Sequence, residues 1–128
     1  MADKGGVMNN FSHAEFACRC NCGKNNMDTD FLNRLDLAAD YSEAEAGYNI
    51  PYVISSGSRC WQHNKDVGST SMNHVEGKAA DIKYESNTIL MYIMAGLVMA
   101  GFRRIGINRE YNFVHVDSMD KTTSLWGY

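Results

Sequence analysis

Proline is almost absent from this chain: Pro51 is the single one in 128 residues. That excludes a proline-rich linker, and with 45% apolar residues it argues for a packed core over disorder. No apolar run reaches the roughly 20 residues of a membrane span, and the best, Ile89 to Ala100, has the length of an ordinary helix. Neither sign of charge dominates. A formal net charge of −3 gives no bulk field to hold nucleic acid or an anionic membrane surface, so neither is expected as a partner. The opening, Met1 to Gly6, lacks the basic and apolar regions of a secretory signal. The expectation is synthesis in the cytoplasm, with the protein staying there unless something releases it. Repeats, low-complexity runs and long linkers are missing too. One domain over residues 11–128 is expected, preceded by a polar, glycine-bearing stretch over residues 1–10 read as flexible, and the whole as a monomer.

Cysteine is sparse but unevenly placed. Cys18, Cys20 and Cys22 alternate, and Cys60 stands apart. A spacing of two is tighter than the usual zinc knuckle, and a reducing compartment keeps thiols free. The plain reading is free, partly buried thiols. A second metal, or a bridge from the trio to Cys60 in an oxidising setting, are the alternatives.

The elements follow from period and punctuation. Ser12 to Glu15 reads as a capping box, with Phe11 and Phe16 placed as a staple across it. From about Asp28 to Ala46, Phe31, Leu32, Leu35, Ala38 and Ala39 share one helical face, and Gly47 can end the helix. Ile50 to Ser55 reads as a strand, which Pro51 confines to a start or an edge. A loop with a short helix covers Ser56 to Asn73. Ala79 to Tyr84 alternates as a strand, Asn87 to Ala100 is a helix stopped at Gly101, and Arg104 to Ile107 and Asn112 to Asp117 are short strands. Helices segregated from short antiparallel strands make an α+β domain, with the helices packed on one side of the sheet. The eight methionines read as core filler, and Arg103 and Arg104 as a solvated edge.

Two stretches carry chemistry. In the first, His74 precedes a turn at Gly77, and Asp81 lies inside the next strand, flanked by Ala80 and Ile82. A carboxylate in an apolar strand costs free energy unless something pairs with it. In the second, alternation sets Phe113, His115 and Asp117 on one face and turns Val114 and Val116 to the core. Two imidazoles and a carboxylate suit tetrahedral zinc with one position left over. Each stretch alone is also compatible with a structural histidine or a paired aspartate; it is their combination that points to metal.

Ser56 to Arg59, the run His74 to Asp81 with Gly77 and Ala79 between its ends, and Val114 to Asp117 resemble the zinc D-alanyl-D-alanine carboxypeptidase family. That family includes phage endolysins and murein endopeptidases, and shares its fold with the Hedgehog signalling domain. Cys18 to Gly23 and the ending Leu125 to Tyr128 also resemble its small phage-type members. The resemblance runs from about Phe11 to the C-terminus. It implies a Hedgehog/DD-peptidase-like fold, zinc as cofactor held by His74, Asp81 and His115, and peptidoglycan stem peptides or cross-links as substrate. Met72 stands where the family often has serine, leaving Ser71 or Asn73 to supply that hydrogen bond. Asn112 stands where some members carry an acidic residue.

The chemistry expected is metal-assisted amide hydrolysis, with zinc polarising the carbonyl and a carboxylate taking the proton of water. Asp117, two residues after His115 on the same strand face, is the first choice for that base. Its alternative duty is to accept a hydrogen bond from a ligand imidazole or an arginine and orient the site. Glu110, in the loop before Asn112, is the competitor. Arg59, aimed by Gly57, can clamp a substrate carboxylate with its two-pronged guanidinium, or else be a surface arginine paired with an acid. His63 and Trp61 lie on the same loop, with Trp61 read as packing, and Glu76 reads as a solvated loop residue. Two rival functions use the same residues differently: a non-catalytic zinc domain whose metal supports a binding surface, and a metal-free structural protein.

Overall fold

The computed structural model describes residues 8–69, 72–119 and 122–128. Residues 1–7 and Ser71 fall outside these ranges, so most of the expected N-terminal stretch and one of the two candidate hydrogen-bond donors near Met72 do too.

A short 3-10 helix, His13–Phe16, opens the described fold. The Glu15 carboxylate accepts the Ser12 N–H at 2.7 Å, and the rings of Phe11 and Phe16 meet edge to face at 5.5 Å, as the box and staple require. Just before it, the backbone N–H groups of Asn9 and Asn10 donate to Asp36. Helix α1 covers Thr29–Ala46, with Asp28 as its cap accepting the Phe31 N–H at 2.9 Å. Gly47 ends it at φ 83, in the left-handed region that glycine enters without a Cβ penalty. The expected face is buried in full: Phe31, Leu32, Leu35, Ala38 and Ala39.

Strand β1 (Val53–Ser56), helix α2 (Trp61–Asp66), strand β2 (Ala79–Lys83) and helix α3 (Asn87–Met99) follow. Strands β3 (Arg104–Asn108), β4 (Phe113–Asp117) and β5 (Ser124–Gly127) complete one five-stranded sheet in the order β1-β2-β4-β3-β5. The fold is α+β. Where the sequence predicts an antiparallel sheet, the sheet is mixed: β5 pairs parallel to β3, at an edge that local pattern did not reveal. Pro51 lies just before edge strand β1, where its missing N–H takes nothing from the ladder.

Alternation divides the sheet into two surfaces. Ile54, Ala80, Ile82, Ile105, Val114 and Val116 join α1 and α3 in the apolar core. The opposite face is left to Asp81, His115 and Asp117. Two expectations about the core need correction. None of the described methionines is buried; Met8, Met27 and Met94 pack at its margin, and Met91 and Met99 are exposed on α3. Trp61, read as packing, is 64% exposed.

Candidate metal and catalytic site

The site lies on one row across the sheet. Register pairs Ser56 with Asp81, Asp81 with His115, His115 with Gly106, and Gly106 with Trp126. Because cross-strand partners point the same way, the row sets a carboxylate beside an imidazole without any special turn. His74 arrives from the turn before β2. That turn is closed by Gly77, whose φ of +75 and close approach to the Asn26 carbonyl leave no room for a Cβ.

The donor atoms of His74, Asp81 and His115 lie within 4.8 Å of one another. His74 Nδ1 donates to the Gly57 carbonyl at 2.7 Å, since a carbonyl can only accept. This turns Nε2 toward Asp81 Oδ1 at 3.4 Å. On the far side, His115 Nδ1 stands 3.0 Å from the same Oδ1. Each of these contacts needs a proton or a cation between the two atoms, and a cation can take the place of both protons. Zinc bonds of about 2.0–2.1 Å put neighbouring donors of a tetrahedron about 3.3 Å apart, and the spacing here agrees with that. The donor set therefore fits zinc, with the open side toward the cleft.

The charges tell the same story. Burial raises the Asp81 carboxyl, but hydrogen bonds to His115 and His74 more than reverse this and hold it well below the usual carboxylate range. Burial opposes the charged form of His115, yet Asp117 and Asp81 on either side bring it up to about 9. Asp81 thus stays ionised and offers an anionic donor to a cation.

Asp117 sits behind His115 rather than beside the other donors. Its side chain is fully buried, with Oδ2 accepting from His115 Nε2 at 2.8 Å and Asn73 Nδ2 at 3.0 Å. Its Oδ1 accepts from Arg104 Nε at 2.8 Å and the Met119 N–H at 3.2 Å. Burial raises this carboxyl, and the bonds to His115 and Arg104 lower it below its ordinary value. Asn73 thus supplies support that Met72 cannot. Arg104, expected as a solvated edge, is instead a clamp on Asp117 and lies over the Trp126 ring at 5.4 Å.

Arg59 is not a surface residue: it is 9% exposed and lines the cleft. Nη1 donates to Asn64 at 3.1 Å and Nη2 to Ser56 at 3.0 Å, and Nη2 stands 3.7 Å from Asp81. One N–H of each terminal nitrogen is engaged, so the fork keeps further donors. The cleft is about 500 Å³, walled by Arg59, Asn73, Arg104, Phe113, Trp126 and Tyr128 around the three donors. Asp81 is the one carboxylate among the described residues that line it. Glu110 is exposed in the turn between β3 and β4, and Glu76 is exposed as expected. His63 and Trp61 do not line the cleft.

Trp126 and Tyr128 went unassigned from the sequence beyond a likeness of the chain's ending. Arg104 carried a signal that was legible: it shares a strand face with Gly106, which is the face of the site. Burial and the nearby Asp81 charge raise the Tyr128 hydroxyl, which keeps it protonated and a donor.

No curated protein matches the chain. The sequence profile of the peptidase M15 family matches residues 9–117, a span that takes in all three donors, Arg59 and Asp117. The chain belongs to the peptidase M15 family.

Proposed function

We propose that the chain is a zinc metallopeptidase hydrolysing an amide bond in peptidoglycan stem peptides or cross-links, in the manner of an endolysin or a murein-remodelling enzyme. The observation that carries this reading is His74 Nε2 and Asp81 Oδ1 facing each other 3.4 Å apart, with His74 Nδ1 already engaged by Gly57. In this reading His74, Asp81 and His115 are the metal ligands. When bound there, zinc supplies a Lewis acid and an acidified water.

The other residues then have separable duties. Asp117 holds the His115 ring through Nε2, leaving Nδ1 for the ligand role, which is how outer hydrogen bonds tune a metal site. The geometry favours this over service as the base, because both oxygens of Asp117 are already accepting. Arg59 takes a substrate carboxylate at the cleft wall. Trp126 and Phe113 offer apolar walls, and Tyr128 an O–H donor. Peptidoglycan is supported by the likeness of the His74–Asp81 and Val114–Asp117 stretches to murein-cutting members, and it would place the work at the cell wall.

The test is mass spectrometry of fragments released from purified murein. The wild-type chain should release peptides ending at a newly cut amide. His74→Ala, Asp81→Ala and His115→Ala should each abolish that release and lose zinc at this site. Undiminished release by His74→Ala would overturn the ligand assignment. Zinc at the site with no fragments from wild type would favour the non-catalytic binding domain.

A further inference from the structure

A second cluster of metal-binding side chains lies outside the cleft. The sulfurs of Cys18, Cys20, Cys22 and Cys60 are all within 4.8 Å of one another, and none is bridged. Cys18 and Cys20 are 3.4 Å apart, and Cys20 and Cys60 3.5 Å. A disulfide bond is about 2.05 Å long, far shorter than either separation. Zinc–thiolate bonds of about 2.3 Å put the sulfurs of a tetrahedron about 3.8 Å apart, inside the range this cluster spans.

The backbone is shaped for that convergence. In an extended strand, alternate residues would set their sulfurs roughly 7 Å apart along one face. Here Asn21 at φ 66 and Gly23 at φ 88 curl the chain in the left-handed region, and the Cys18 N–H closes the loop on the Lys24 carbonyl at 2.9 Å. Three backbone N–H groups point at sulfur: Cys60 to Cys18 at 3.3 Å, His63 to Cys60 at 3.3 Å, and Lys24 to Cys22 at 3.5 Å. Such donors favour the thiolate over the thiol.

We propose that Cys18, Cys20, Cys22 and Cys60 form a second, structural metal site, a closed tetrathiolate for Zn2+. Binding exchanges the thiol protons for the cation and releases them to solvent, with no change of oxidation state.

The site would clip the N-terminal loop to the segment that builds the cleft. Cys60 follows Arg59 directly, the Arg59 N–H donates to the His74 carbonyl at 3.2 Å, and the Ser58 N–H donates to the Phe16 carbonyl at 2.7 Å. Gly57, whose carbonyl orients His74, lies so close to Phe16 that an added Cβ would come within 2.8 Å of its backbone. The inference does not depend on the proposed peptidase reading.

Cobalt substitution tests it on the intact wild-type chain. Thiolate-to-cobalt charge-transfer absorption in the near ultraviolet arises from sulfur ligands and not from His74, Asp81 or His115. The expected result is about two metal ions per chain, one in a closed four-ligand site, with strong thiolate bands. The bands should survive His74→Ala and vanish in the Cys20→Ser/Cys60→Ser double variant. Strong bands with about one metal per chain would support the cysteine site and count against the histidine one. Absence of bands in wild type would overturn the proposal, whatever the variants do. So would a mass two hydrogens short under non-reducing conditions, or four thiols reacting at once in protein purified without chelator.

Discussion

Asp117 accepts hydrogen bonds from His115, Arg104, Asn73 and the Met119 backbone, and its side chain is sealed from solvent. A carboxylate so occupied is suited to fixing the ring it touches. Asp117→Asn keeps the shape but loses the charge that holds the proton on His115 Nε2. Zinc affinity at the cleft should fall roughly 10–100-fold. Isothermal titration with zinc, read against thiolate-bound metal, checks this; unchanged affinity with lost turnover would restore Asp117 as the base. Arg59 calls for the opposite signature. Arg59→Ala should leave cleft zinc in place and raise KM for peptides with a free C-terminus, losing a charge-assisted pair of about 1.5–3 kcal/mol, near tenfold or more. Arg59→Lys should restore part of that, since an ammonium cannot reproduce the fork. Equal kinetics on peptides with free and amidated C-termini, in wild type and variant alike, would remove the clamp.

Strand β5 reaches the site only because β3 leaves space for it. At Gly106 a Cβ would come within 2.5 Å of the Trp126 ring, so the indole lies against bare backbone between Arg104 and His115. Gly106→Ala forces the ring outward without straining its own φ. Overpacking of this kind costs roughly 1–3 kcal/mol. The variant should unfold at lower urea, show shifted tryptophan fluorescence and bind substrate more weakly, while His74 and Asp81 still hold metal. Unchanged fluorescence and stability would mean that β5 does not seal this wall.

Across the whole molecule, α1 and α3 pack so closely that Gly96 has no room for a side chain. A Cβ there would strike Ser42 Oγ and the Ala38 carbonyl, beside the bond of 2.8 Å between Ser42 and Tyr52. Alanine gains about 1 kcal/mol of helix propensity over glycine. Overpacking against a backbone carbonyl costs roughly 1–3 kcal/mol, so the clash wins. Gly96→Ala should lower stability while activity per folded molecule stays at the wild-type level, because this packing lies on the core side of the sheet and the cleft on the other. Urea unfolding alongside murein release separates the two; a stabilised variant would mean the helices can part at little cost.

What the sequence determined by itself was what local rules govern. The start of α1 near Asp28, its apolar face, the stop at Gly47 and the split of β2 and β4 into a core side and a polar side all follow from period and φ preference. Asp81 and His115 were legible because polar residues on apolar strands demand a partner, His74 because it completes with them a donor set that suits zinc, and the fold brings all three together. The tertiary structure alone decided the register that lines Ser56, Asp81, His115, Gly106 and Trp126 in one row, and the parallel docking of β5. It also decided that Asp117 lies behind His115, under Arg104, and that Cys60 meets Cys18, Cys20 and Cys22. Apart from the contact of Asp117 with His115, each of these joins residues well separated along the chain. Their energies come from packing and pairing across strands, which no window of neighbouring residues contains.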